Sequence, residues 1–247
     1  MGKKRCTAVL LAAGKGSRMN SSVAKQFMEL NKKPLIYYSL QTIQQSSVID
    51  DCILVTGENQ IEWVKQEIVE KFGFTKVADV IAGGPERCFS VAYAMKYIEE
   101  GKLQIQNKDG YVFIHDGARP FLSEDILKRT YDAVEKHRAC TAAVPCKDTI
   151  KIADAQGFVY QTPARELMWS IQTPQVFDTE LITFAYGRLL EKSKELEEQG
   201  KLVTDDAGVV ELFTDIKVKL VHGSYENIKI TTPEDILIAE AFMKEKQ

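Results

Sequence analysis

At 247 residues the chain is long enough to bury a full core, and 45% apolar with 27% charged residues is ordinary globular composition. The formal net charge of −3 argues against a general nucleic-acid or anionic-membrane surface, so a cationic site has to be local. No apolar run approaches the length of a membrane span, and the scattered cysteines, with no C-x-x-C pair, fit neither a zinc site nor a disulfide framework.

Lys3, Lys4 and Arg5 followed by the apolar run Cys6–Ala13 imitate a secretion signal. The run is short and leads straight into glycines, so a first buried strand over Thr7–Leu11 is expected instead. The stretch Leu10–Phe27 then breaks at Gly14 and Gly16 and carries Lys15, Arg18 and Lys25. Glycines let backbone N–H groups come close to a phosphate, and the cations neutralise what remains. Pro34 opens a helix to about Gln45, and Asp51–Thr56 is a second strand. Ile61–Phe72 is amphipathic and stopped by Gly73, and Val77–Ala82 is a third strand that ends at Gly83-Gly84-Pro85-Glu86-Arg87. Val91–Ile98 is the next helix, and Tyr111–His115 is a fourth strand followed by Asp116-Gly117-Ala118-Arg119-Pro120. Ser123 is placed to cap a helix running to about His137.

This alternation is the signature of a doubly wound α/β sheet, and such sheets bind ligands beyond the carboxyl ends of their strands. The unusual loops Ala12–Lys25, Gly83–Arg87 and Asp116–Pro120 all fall at such ends, which proposes one shared site. After Ala142–Val144 the rhythm changes. Thr149–Pro163 reads as a β-hairpin around the turn Asp154–Gly157, with too little core to stand alone. Ile171–Val176 returns to strand, Thr179–Gln199 is helical, Val218–His222 and Asn227–Ile230 read as closing strands, and Pro233–Lys244 is a last helix.

Three phosphate motifs compete for the first loop. The dinucleotide fingerprint needs a third glycine where Met19 stands, and the P-loop spacing is absent. What remains is Ala12-Ala13-Gly14-Lys15-Gly16-Ser17-Arg18-Met19 with Lys25-Gln26-Phe27. These residues resemble the signature of nucleotidyltransferases that activate phosphorylated small molecules. His115-Asp116-Gly117-Ala118-Arg119-Pro120, Asp148-Thr149, Arg165 with Leu167, Trp169-x-x-Gln172-Thr173-Pro174-Gln175 and Asn227-Ile228-Lys229-Ile230-Thr231 narrow this to cytidylyltransferases. Over roughly residues 7–243 the chain is similar to the family of 2-C-methyl-D-erythritol 4-phosphate cytidylyltransferases, with ribitol-5-phosphate cytidylyltransferases as the nearest alternative. A dinucleotide-dependent oxidoreductase is the alternative of another class.

The resemblance implies a Rossmann-like nucleotidyltransferase fold over 1–247 as a single domain, with 145–168 as a protruding β-arm. It implies that CTP contacts Ala12, Ala13, Gly14, Gly16, Gly83, Gly84, Arg87 and Ser90, with Arg18 and Lys25 on the triphosphate. Asp116, Arg119, Thr149 and Thr173 match positions that hold the polyol phosphate, and Arg165 and Lys229 would align it for attack. It further implies Mg²⁺ held mainly by CTP phosphates and water, with Asp116 as a candidate ligand, and a cytoplasmic homodimer whose arm reaches the partner. Ala24 stands where the family usually has proline, and Pro85 and Phe89 replace residues that are often polar.

Overall fold

The structure is a computed structural model describing residues 2–14, 24–200 and 203–244. Strand β1 (Cys6–Ala12) is buried at every position but Leu11. Because successive side chains leave a pleated strand on opposite faces, Cys6, Ala8, Leu10 and Ala12 enter one core while Val9 enters another. A short antiparallel hairpin follows, β2 (Glu29–Leu30) and β3 (Lys33–Pro34), turning through Asn31 and Lys32 at φ 47° and 63°. Pro34 then leads into α1 (Leu35–Gln45), which buries Leu35, Ile36, Ser39, Leu40 and Ile43 at helical spacing. Strand β4 (Asp51–Thr56) is buried throughout. Helix α2 (Ile61–Val64) runs on through a π-helical turn, Lys65–Glu70, and the chain reverses at Gly73 with φ 68°.

Next come β5 (Val77–Ala82), α3 (Arg87–Glu99), β6 (Tyr111–Asp116) and α4 (Glu124–His137). The Ser123 hydroxyl accepts from the Ile126 N–H and caps α4, as its position predicts. Helix α3 begins at Arg87, a turn before the apolar repeat announces it. That first turn faces a cavity instead of the core, so it carries no hydrophobic signal. Strand β6 likewise extends by one residue and takes in Asp116.

The second half adds β7 (Ala139–Pro145), the arm strands β8 (Ile152–Ala153) and β9 (Val159–Gln161), and β10 (Trp169–Asp178). It closes with α5 (Thr179–Glu198), α6 (Asp206–Phe213), β11 (Lys219–His222) and α7 (Pro233–Lys244). The main sheet has seven strands in the order β11-β7-β10-β6-β1-β4-β5. β10 runs antiparallel to both β6 and β7, and the other pairs are parallel. Winding changes direction between β1 and β6, which is where an open α/β sheet leaves a crevice at its carboxyl edge. Helices α1, α2 and α4 cover one face of the sheet, and α3, α5 and α6 cover the other.

One expectation is corrected, and one helix is added. Asn227–Ile230 is not a strand but an irregular connection. Its apolar alternation arises because Ile228 and Ile230 pack into a small third core with Leu30, Leu35 and Ala239. Its polar atoms meanwhile serve loops: the Ile230 N–H donates to Ala118 O at 2.8 Å, and Asn227 Nδ2 donates to Thr173 O at 2.8 Å. Helix α6 was not anticipated at all. It is short, contains Gly208, and is announced only by Asp205, whose carboxylate accepts from the Gly208 N–H at 2.9 Å.

Candidate active site

The carboxyl ends of β1, β4, β5 and β6 open onto a cavity of about 510 Å³. Leu11, Ala13 and Gly14 line it from β1, Gly57 to Asn59 from β4, Gly83 to Arg87 with Ser90 from β5, and Asp116 and Ala118 from β6. Lys25, Gln26 and Lys229 complete the wall. The three loops singled out in the sequence therefore do converge.

The two described ends of the first loop are tied together by a side chain. Gln26 is buried, and its Nε2 donates to Ala12 O and to Gly14 O, the latter at 3.2 Å. Phe27 stacks edge-on against Trp63 with ring centroids 5.0 Å apart, which anchors the turn Lys25–Phe27 and sets Lys25 at the cavity. Gly16 and Arg18 lie outside the described residues. A Cβ added at Gly14 would meet nothing within 4 Å, so there the wall is bare backbone open to an approaching ligand. Gly83 and Gly84 are small for another reason. A Cβ at Gly83 would sit 2.5 Å from Ala13 Cβ, and one at Gly84 would sit 2.4 Å from Phe89 Cβ. Ser90 Oγ accepts from the Gly84 N–H and donates to Glu86 O, both at 3.1 Å, so this hydroxyl shapes the β5 loop.

Opposite these glycines stands a cluster of charges. Asp116 Oδ1 accepts from Arg87 Nε at 3.0 Å, and Oδ2 accepts from Lys229 Nζ at 2.8 Å, with Arg119 Nε 3.8 Å away. Burial alone would raise the Asp116 pKa, but Arg87, Lys229 and Arg119 outweigh it and hold the carboxyl well below the usual range. Arg119 Nη1 donates to Asn227 O at 2.8 Å, tying the β6 loop to the connection that carries Lys229. Burial likewise opposes the charge of Arg87, and Asp206 and Asp116 more than restore it.

Next to the cluster, His115 and Thr173 form a fixed polar chain. His115 Nε2 lies 3.2 Å from Arg119 O, a pure acceptor, so Nε2 carries the proton. Nδ1 is then an acceptor, and the Thr173 hydroxyl donates to it at 2.9 Å while accepting from the Asp116 N–H at 3.1 Å. Burial pushes the His115 pKa down to about 4, which keeps the ring neutral. The Thr173 hydroxyl proton is therefore committed to His115 in this arrangement. Thr149 and Arg165 stand apart from the cavity. Both are exposed residues of the arm, and Arg165 Nη1 donates to Lys147 O at 3.4 Å.

Sequence reasoning missed the structural roles of Gln26, His115, Asn227 and Asp206. Only Asp206 carried a readable signal, the Asp205-Asp206 pair before a short apolar run. Among the described residues, no group of three or more His, Cys, Asp or Glu side chains forms a metal cage. Among the described residues Asp116 is the one buried acid lining the cavity, and its Oδ1 meets one cation there, Arg87. That donor set fits a magnesium ion, which keeps phosphates and waters as most of its shell.

A doubly wound sheet with a glycine-walled, cation-bearing cavity at its winding switch is the architecture of the nucleotidyltransferase fold. The family model for IspD, 2-C-methyl-D-erythritol 4-phosphate cytidylyltransferase, matches residues 6–245. A 2-C-methyl-D-erythritol 4-phosphate cytidylyltransferase from Lachnospira eligens is 47% identical over 96% of this chain and 99% of its own length. One from Lachnoclostridium phytofermentans is 42% identical over 99% of this chain and 98% of its own. The crystal structure of 4-diphosphocytidyl-2C-methyl-D-erythritol synthase from Anaerococcus prevotii superposes with a TM-score of 0.81 at 35% identity, covering 98% of this chain and 99% of that one. The chain belongs to the IspD family of 2-C-methyl-D-erythritol 4-phosphate cytidylyltransferases. Its activity is methylerythritol phosphate cytidylyltransfer in the non-mevalonate isoprenoid pathway, which sets aside ribitol phosphate and the dinucleotide-dependent oxidoreductase.

Proposed function

We propose that CTP lies along the β1 and β5 loops and that methylerythritol phosphate meets it from the side of Asp116 and Lys229. Ala12, Ala13, Gly14 and Gly16 with Gly83, Gly84, Arg87 and Ser90 form the CTP side, and Arg18 and Lys25 face its triphosphate. Asp116, Arg119, Lys229 and Thr173 form the phosphate side, joined by Thr149 and Arg165. A phosphate oxygen of the polyol attacks the α-phosphorus in line. The new P–O bond forms as the bond to the α,β-bridging oxygen breaks, and pyrophosphate leaves with the electron pair. A phosphate monoester is already ionised near neutral pH, so no general base is needed. The barrier lies in bringing anions together and in charge building on the leaving oxygen, and fixed cations lower both. Magnesium, when bound, supplies Lewis-acid neutralisation of the phosphoryl oxygens, and Asp116 is the residue that would hold it.

The observation that supports this reading most is the gathering of Arg87, Arg119 and Lys229 around Asp116 at the cavity. These side chains leave an excess of positive charge where two anions must meet. Residues 145–168 serve as the arm of one domain spanning 1–247, and the arm exposes Phe158, Val159, Tyr160 and Leu167 to solvent. Such apolar surface is suited to cover by a second copy of this chain, which would bring Thr149 and Arg165 to the partner's cavity. Free cysteines, three of them buried, suit a reducing cytoplasm.

One mixing experiment tests the assignments together. Lys229→Ala and Arg165→Ala, each folded, are expected to lose roughly a hundred- to a thousandfold in kcat. Mixing the two inactive chains creates heterodimers with one intact site, restoring up to about a quarter of wild-type activity if subunits exchange at random. Near-normal turnover in either variant would contradict its role, and no recovery on mixing would contradict the shared site.

A further inference from the structure

Helix α6 brings a carboxylate beside the cavity that no step of the chemistry uses. Asp206 is fully buried. It accepts a two-pronged bond from Arg87, Nη1 at 2.9 Å and Nη2 at 2.7 Å, and a third bond from the Tyr186 hydroxyl at 2.5 Å. The opposite edge of the same guanidinium, Nε, reaches Asp116, whose far oxygen holds Lys229. A continuous chain of hydrogen bonds thus runs from Tyr186 on α5 through Asp206, Arg87 and Asp116 to Lys229. The start of α6 is itself anchored to β10, because Gln175 Oε1 accepts from the Ala207 N–H at 2.8 Å and Gln175 Nε2 donates to Asp205 at 2.9 Å.

A guanidinium is planar and rigid, so fixing one edge fixes where the other points. With the Nη1/Nη2 edge held by Asp206, the direction of the neighbouring edge is fixed, and in that direction Arg87 reaches Asp116 through Nε at Oδ1. Freed from Asp206, the fork would find its best remaining partner in Asp116 and claim both carboxylate oxygens, the usual bidentate arrangement. Lys229 would then have to share Oδ2 with Arg87, which shifts its ammonium from the place it holds at 2.8 Å. We propose that Asp206, supported by Tyr186, is a positioning residue that keeps Arg87 to one oxygen of Asp116 and so leaves the other to set Lys229 at the substrate phosphate. This rests on the reading of Asp116 and Lys229 as the phosphate side of the cavity.

The charges make the proposal distinguishable from simpler roles. Asp206→Asn removes a negative charge near a phosphate site, so a purely electrostatic effect would tighten phosphate binding and lower KM. A purely structural role would lower Tm but leave kcat/KM unchanged below the melting range. Positioning predicts the reverse of both. In the full chain assayed with CTP, magnesium and methylerythritol phosphate, folded Asp206→Asn should lose roughly tenfold or more in kcat/KM for the polyol phosphate. Tyr186→Phe, which removes one supporting bond, should lose less, about threefold. In an Arg87→Gln background neither change should matter further, because the effect passes through Arg87. If Asp206→Asn does not fold, the Tyr186→Phe and Arg87→Gln pair completes the same cycle. Unchanged or improved kcat/KM in a folded Asp206 variant, or losses that multiply with Arg87→Gln, would overturn the proposal. Lys229→Ala in the same assay separates the two levels. A crippled Lys229→Ala beside an intact Asp206→Asn removes only the positioning role, whereas an active Lys229→Ala removes the reading beneath it.

Discussion

His115 shows what burial does to a single side chain beside this cavity. Its ring is locked between Arg119 O and the Thr173 hydroxyl, and its pKa is pushed down to about 4 by burial. In the unfolded chain it would titrate near its ordinary value of 6.5. Between those limits the unfolded state binds a proton that the folded state refuses, so stability rises with pH across that window. The contribution is fully present above about pH 6.5 and is lost as pH falls toward 4, in total on the order of 3 kcal/mol. The lowered carboxylates, Asp116 among them, act on stability mainly below this window because their unfolded values lie at 3.8 to 4.5. Denaturant titrations from pH 7 to 4.5 should therefore show a one-proton loss of stability that His115→Asn flattens. An equally steep slope in a folded His115→Asn protein would refute it. At this scale the sequence was legible where a motif concentrates its residues, as at Gly83, Arg87, Asp116 and Lys229. It did not pair Asp206 with Arg87, because the two lie 119 positions apart and their pairing leaves no local trace.

Elements tell a similar story, because a glycine motif does not say which glycine serves the ligand and which serves packing. Gly14 faces open space, and Gly83 is wedged against Ala13 and Ser90. Gly14→Ala should therefore leave thermal stability nearly unchanged and raise KM for CTP several-fold, since the methyl group stands where the nucleotide approaches. Gly83→Ala should lower Tm as well, the overlap with Ala13 costing about 1–3 kcal/mol. Thermal melts with CTP saturation curves on both variants check the contrast, and equal Tm losses would contradict it. Main-sheet strands and helices through α4 were readable because hydrophobic period and capping agree there, as at Ser123, while the small hairpin β2–β3 was not. The start of α3 and all of α6 were not, because their first turns face polar partners. Asn227–Ile230 was misread because its isoleucines belong to a core that exists only once α7 has packed.

At the scale of the whole molecule, alternating apolar strands and amphipathic helices dictated a doubly wound sheet, and its carboxyl edge dictated where the site forms. The direction of β10 was not legible, because a buried apolar run carries no sign of which way it pairs. That antiparallel strand matters, since it brings Gln172, Thr173 and Gln175 against β6, Asn227 and α6. The identity of the acceptor polyol also belongs to this scale, because it depends on the assembled phosphate side and not on any one residue. The most direct measurement is product formation by the purified chain with CTP, magnesium and either 2-C-methyl-D-erythritol 4-phosphate or D-ribitol 5-phosphate. The account predicts pyrophosphate released one for one with cytidylylated methylerythritol, and much slower turnover with ribitol 5-phosphate. Faster transfer to ribitol 5-phosphate, or no pyrophosphate with either acceptor, would contradict it.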